Sequence, residues 1–199
     1  MSNINSLREM FRNCLVFNGN LNDWDVSMVN DLTGMFEECT LFNQPVDRWD
    51  VSRVRSFSKL FAFTSFNFPL AAWQTDSASD MSYLFYITPF NQPISCWNTS
   101  KVTDMTAMFG YSKFNQLIDN WDVSSVTDMQ EMFQLVTSFN GDLSSWDVSS
   151  VTNLSGMFYI ASAFNGDISN WDVSNVTDMS NMFISAPNFN GDLSSWNVS

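Results

Sequence analysis

Tryptophan recurs with the regularity of a ruler: Trp24, Trp49, Trp73, Trp97, Trp121, Trp146, Trp171 and Trp196, spaced by 24 or 25 residues. Two phenylalanine columns keep the same beat. One runs Phe11, Phe36, Phe61, Phe85, Phe109, Phe133, Phe158 and Phe183; the other runs Phe17, Phe42, Phe66, Phe90, Phe114, Phe139, Phe164 and Phe189, each followed at once by asparagine. A period of this length is the signature of stacked repeats, in which one unit cannot bury its apolar face without its neighbours. A single array spanning 1–199 is therefore expected, with turns beginning near Trp24, Trp49, Trp73, Trp97, Trp121, Trp146 and Trp171.

The repeat length bears on the fold class. Two-helix repeats need about 33 residues or more, whereas leucine-rich-type coils use about 20–29. The spacing thus predicts a β-rich solenoid of about eight turns, a leucine-rich-repeat-like right-handed coil with short parallel strands and short helical or 3₁₀ turns. In the repeat after Trp121 a strand is expected around Val126–Met129, a helical turn over Gln130–Phe133, and a second extended piece from Asn140 to Trp146. Asn-Gly at 140–141, 165–166 and 190–191 and Asn-Gln-Pro at 43–45 and 91–93 mark corners. Stacked turns would lie ~4.8 Å apart. The asparagine after each second phenylalanine reads as structural, since a side-chain amide both donates to and accepts from a corner backbone.

Charge and composition exclude several functions. With 8 basic against 21 acidic residues, and no Lys or Arg after Lys113, the surface repels phosphate backbones, so nucleic acid is a poor partner. No apolar run approaches the ~20 residues of a membrane span. The opening MSNINSLREMF lacks the basic and apolar segments of a signal peptide. It points to a protein not secreted by that route, or to a piece of a longer chain. The first Met and last Ser fall at one repeat phase without a polar cap, which also fits a segment of a longer array or assembly.

Chemistry has few candidates. There is no histidine and no glycine-rich phosphate loop, and three cysteines form no metal pattern. No catalytic residue, cofactor or metal site is assigned, and no enzymatic activity is expected. Cys14 and Cys39 share one repeat column of small residues and read as free core thiols rather than a disulfide. Two aspartate ladders, Asp25, Asp50, Asp122, Asp147 and Asp172, and Asp31, Asp80, Asp104, Asp128 and Asp178, must be solvated, bonded to backbone or bridged by calcium. Their turn-like positions favour backbone capping. Sequons at Asn98, Asn153, Asn175 and Asn197 fall out of the repeat wording and read as coincidence.

The segments VTDMQEMF (126–133), VTNLSGMF (151–158) and VTDMSNMF (176–183), each preceded by WDVS and followed by FNGD, carry a family resemblance. The chain resembles the BspA-type leucine-rich-repeat surface proteins, in the variant built on VTDMSxMFxxAxxFNxDISxWDVS that is frequent in mycoplasma lipoproteins. The resemblance covers essentially the whole chain. It implies display at a cell surface, a role in adhesion or other protein contacts, and no catalysis.

Irregular positions are the informative ones in such an array. The stretch from Arg48 to Ala78 departs most: Arg53, Arg55 and Lys59 stand where other turns carry small polar residues, Phe68 stands where others carry Gly or Gln, and Phe57 and Phe63 add aromatic bulk. Arginine beside aromatic residues is what binding hot spots favour, so Arg48, Arg53, Arg55, Lys59, Phe63 and Phe68 form the candidate partner-contact patch. Drift in a tolerant array is the structural alternative. The leading expectation is a non-enzymatic module that binds a protein or glycan along one face. The alternative is a structural spacer or scaffold in a larger assembly. Ice binding by a threonine ladder through Thr103, Thr127, Thr152 and Thr177 is a third, weaker reading.

Overall fold

A computed structural model describes residues 4–198. The terminal Met and Ser, whose shared repeat phase suggested uncapped ends, lie outside the described residues, as does the serine that completes the Asn197 sequon.

One repeat shows how the backbone is satisfied. Met129, Glu131, Phe133 and Leu135 donate their N–H groups to Asn153, Ser155, Met157 and Tyr159 of the next turn, at 3.1, 2.9, 2.9 and 2.7 Å. The residues between them bond locally: Met132 to Met129, Gln134 to Glu131 and Val136 to Phe133, at 3.2, 3.0 and 3.0 Å. The remaining donor, Gln130 N–H, is capped by the Asp128 carboxylate at 2.8 Å. Every amide from 129 to 136 therefore has a partner, as a buried backbone requires. The same alternation recurs in the other repeats, from Leu7 N–H to Asp31 O onward.

This pattern corrects the expected fold class. The chain is not a β-rich, leucine-rich-repeat-like solenoid: among the described residues there is no helix and no extended ladder, only seven isolated parallel bridges, Ser6↔Asp31 through Asn153↔Asp178. The strand expected at Val126–Met129 is reduced to the single bridging residue Asp128. Gln130–Phe133 forms consecutive turns rather than a helix, and Asn140–Trp146 pairs with no strand.

The cause is a left-handed residue at two fixed places in each repeat. Glu131 and Leu135 have φ of 57° each, and their equivalents run from Glu9 and Asn13 to Asn181 and Ser185. A positive φ breaks the extended conformation, and it redirects a helix's i→i−4 bonds into i→i−3 turns. Half the amides are thereby used within the turn and half reach the next one. A left-handed residue with a side chain costs ~1–2 kcal/mol, and Ile87 and Ile160, being β-branched, sit there at the highest steric cost. The complete bonding and the aromatic core beneath offset it.

The core is a pair of phenylalanine columns with tryptophan beside them. Within one repeat the two rings lie face to face, as in Phe133 on Phe139 at 4.1 Å and Phe85 on Phe90 at 3.7 Å. Equivalent rings follow at 5.7 Å from Phe109 to Phe133 and 6.4 Å from Phe90 to Phe114. That spacing exceeds the ~4.8 Å of paired strands, so the turns are closer at the hydrogen-bonded run than at the rings. From Trp49 onward each indole N–H then ties one turn to the previous: Trp121 donates to Ile94 O at 3.2 Å and Trp146 to Ile118 O at 3.1 Å. Phe57, whose aromatic bulk marked the irregular stretch in sequence, is buried against Trp73.

The polar ladders are part of this frame. Asn91 N–H donates to Asn67 Oδ1 at 2.9 Å and Asn115 N–H to Asn91 Oδ1 at 2.9 Å, and so on from Asn18 to Asn190. Asp122 accepts both the N–H and the hydroxyl of Ser124, at 3.1 and 2.6 Å. Asp31, Asp80 and Asp104 cap Thr33, Ser82 and Thr106. The carboxylates are thus used as turn caps, and no three acidic or cysteine side chains gather as a metal site among the described residues. All three cysteines are free, with Cys39 buried and Cys14, against expectation, exposed.

Candidate functional site

The turn run around each first-column phenylalanine buries Met129, Met132, Phe133 and Val136 and turns Gln130, Glu131, Gln134 and Leu135 outward in pairs, each pair including one left-handed position. At these and the neighbouring outward positions lie Lys59, Phe63, Tyr83, Tyr86, Tyr111 and Tyr159. All four tyrosines of the chain are in this set.

Their geometry is a continuous aromatic chain across three turns. Tyr86 meets Phe63 edge-on at 5.4 Å, Tyr83 at 5.3 Å and Tyr111 at 5.4 Å. Such T-shaped pairs place a positive ring edge on a negative ring face. The Lys59 ammonium stands 5.7 Å over the Tyr83 ring, within cation–π reach, and 3.8 Å from Glu37. Glu37 is buried and also holds Arg12 at 2.9 Å. These groups enclose a hollow of about 250 Å³ lined by Glu37, Lys59, Ala62, Phe63, Tyr83 and Tyr86. Burial, then the carboxylates of Glu131, Asp104 and Asp128, raises the Tyr83 hydroxyl above its ordinary range. Burial raises Tyr86 as well, with Tyr111, Glu131 and Tyr83 adding to it. Both tyrosines are therefore neutral hydrogen-bond donors at pH 7.

The six residues singled out from sequence do not form one patch. Arg48 pairs with Asp23 at 2.9 Å in full solvent. Arg53 reaches Met28 Sδ at 3.1 Å and, with Arg55 and Asn30, lines a separate shallow depression. Phe68 folds back on Phe66, at 6.5 Å, and packs partly buried against the core. Only Lys59 and Phe63 come together, and they do so with residues that sequence reading missed: Glu37, Tyr83 and Tyr86. The missed signal was present, since every tyrosine falls within the same few outward columns of the repeat.

A family model described as "Mycoplasma protein of unknown function, DUF285" matches residues 1–89 and 110–199. The chain belongs to this family. No curated protein and no solved structure matches the chain. The DUF285 match spans nearly every repeat and skips only residues 90–109, so the aromatic chain is centred on the turns just before and just after that gap. In this DUF285 chain, no helix among the described residues is long and apolar enough to cross a membrane. The leucine-rich-repeat part of the resemblance is corrected by the absence, among the described residues, of the strands that class requires.

Proposed function

We propose that this protein is a non-enzymatic binding module that recognises a protein, or a glycan, along the tyrosine-bearing face of the stack. The observation that carries the reading is the edge-to-face series Phe63, Tyr86 and Tyr111, with Phe63 and Tyr111 exposed. The core is already served by two phenylalanine columns, so aromatic rings outside it are not needed for folding. Tyrosine gives rigid, amphipathic contact area at low entropic cost and dominates binding hot spots. Display at a cell surface with a role in adhesion is part of the proposal and rests on the resemblance to repeat surface proteins.

Replacing Phe63 by Asn, Tyr86 by Gln and Tyr111 by Glu keeps residue types already tolerated at these columns, as Asn13, Gln134 and Glu38 show. Recovery of bound partner on immobilised protein is expected to fall with this triple variant. It is expected to survive Arg53→Ser with Arg55→Thr; the reverse result removes the face from consideration. A spacer or scaffold role is the second reading. It is favoured by one observation: Arg53 and Arg55 are exposed and form no ion pair among the described residues, as a neighbouring subunit would require.

A further inference from the structure

Beyond Tyr111 the same face deepens into a trough of about 680 Å³, within the ~300–1,000 Å³ that accommodates a drug-sized ligand. We propose that this trough binds a short neutral oligosaccharide, with sugar rings set against Tyr111 and Tyr159 and hydroxyls engaged by Gln134, Asn181 and Glu131. The inference rests on the binding role proposed for this face and adds the ligand class and the residues.

The trough exists because of Gly156. This glycine occupies the left-handed column, at φ +61°, where Lys59, Tyr83 and Glu131 carry side chains. A Cβ at Gly156 would stand 3.2 Å from Glu131 Cγ, so any larger residue projects over the floor. The walls are then polar: amides, hydroxyls and two carboxylates, with Tyr111 and Tyr159 as the aromatic surfaces.

The lining selects the ligand by charge and by hydrogen-bond type. Glu131 and Asp178 disfavour an anionic sugar, and no Lys or Arg follows Lys113 to accept one. Among the described residues, the side-chain amides of Gln134, half-buried, and Asn181, exposed, make no hydrogen bond to protein and stand open to a ligand. Each offers two donors and an acceptor. A lysine or arginine side chain supplies donors only and would leave the amide N–H groups unanswered. Vicinal hydroxyls supply both, and tyrosine presents an apolar ring face with a polar tip to a sugar's two-sided surface.

The test is titration calorimetry of the protein with maltotriose, cellotriose and triacetylchitotriose, and with trilysine as the cationic probe. Two variants use residues already present at the same columns: Gly156→Lys fills the trough floor and Tyr159→Gln removes one of its two aromatic surfaces. Saturable binding of at least one trisaccharide, weakened about tenfold or more by both variants and unchanged by Arg53→Ser in the separate depression, is expected. Thermal unfolding of the variants near that of the parent shows that the fold is retained. No trisaccharide bound, binding indifferent to both substitutions, or trilysine alone bound would each overturn the proposal. Partner recovery through Phe63 and Tyr86 is measured separately, so loss of the sugar result leaves the wider reading standing, and the converse.

Discussion

The ring of Tyr86 occupies the space that a side chain at Gly110, its equivalent one turn later, would need: a Cβ there would stand 2.9 Å from the ring. Stacked repeats usually place like on like. Here a glycine in one turn lets a tyrosine in the previous turn lean over it and reach Tyr111.

Gly110→Ala is therefore expected to displace Tyr86 and break the aromatic series on this face while leaving the phenylalanine columns intact. Tyrosine near-UV dichroism should change, with a stability loss of ~1–3 kcal/mol from overpacking. An unchanged tyrosine signal would show that the ring has another seat.

Phe109 is stacked on Phe114 at 3.9 Å and lies between Phe85 and Phe133, with no exposed surface. Phe109→Ala should cost about 3–5 kcal/mol in denaturant unfolding. The exposed Tyr111→Ala should cost far less, which checks that core and candidate site are energetically separate.

Asp25, Asp122 and Asp172 are held below the ordinary carboxylate value of 3.8, first by the serine hydroxyl two residues on and then by its backbone N–H. A depressed folded pKa contributes stability that is complete above the unfolded value and is lost as pH falls through the folded one. Stability should thus decline below about pH 4. Asn98 makes the same two bonds to Ser100 without titrating. Replacing Asp25, Asp122 and Asp172 together by Asn should move the acid midpoint to lower pH, read by dichroism; an unmoved midpoint would assign acid unfolding to other groups.

Burial pushes the Cys39 thiol up to about 11, whereas Cys14 and Cys96 are exposed. At pH 8 Cys39 is then thiolate in roughly one molecule in a thousand. Iodoacetamide should label Cys14 and Cys96 in the native protein and reach Cys39 only in denaturant, a difference that mass spectrometry of the peptides resolves.

How far the sequence carried the structure depends on which physical signal each residue leaves. The ring columns, the asparagine ladder and the aspartate caps were legible because burial and turn chemistry force the same residue type back at the same phase. The backbone path was not. Lys59, Tyr83, Ala107 and Glu131 share a left-handed φ, yet none is a residue that advertises one, so apolar spacing alone suggested strand and helical turn. Candidate contacts fared as unevenly: Lys59 and Phe63 were found by their irregularity, while Arg48, Arg53, Arg55 and Phe68 proved to lie apart.

The amino-acid order by itself determined the period, the buried set and the excess of acid, since each is a property of residue type and position along the chain. Tertiary structure alone decided that alternate amides close turns instead of ladders, and that tyrosines from successive repeats meet beside Gly110. Those outcomes depend on hydrogen bonds and ring contacts between residues some 24 positions apart, which no local window of sequence contains.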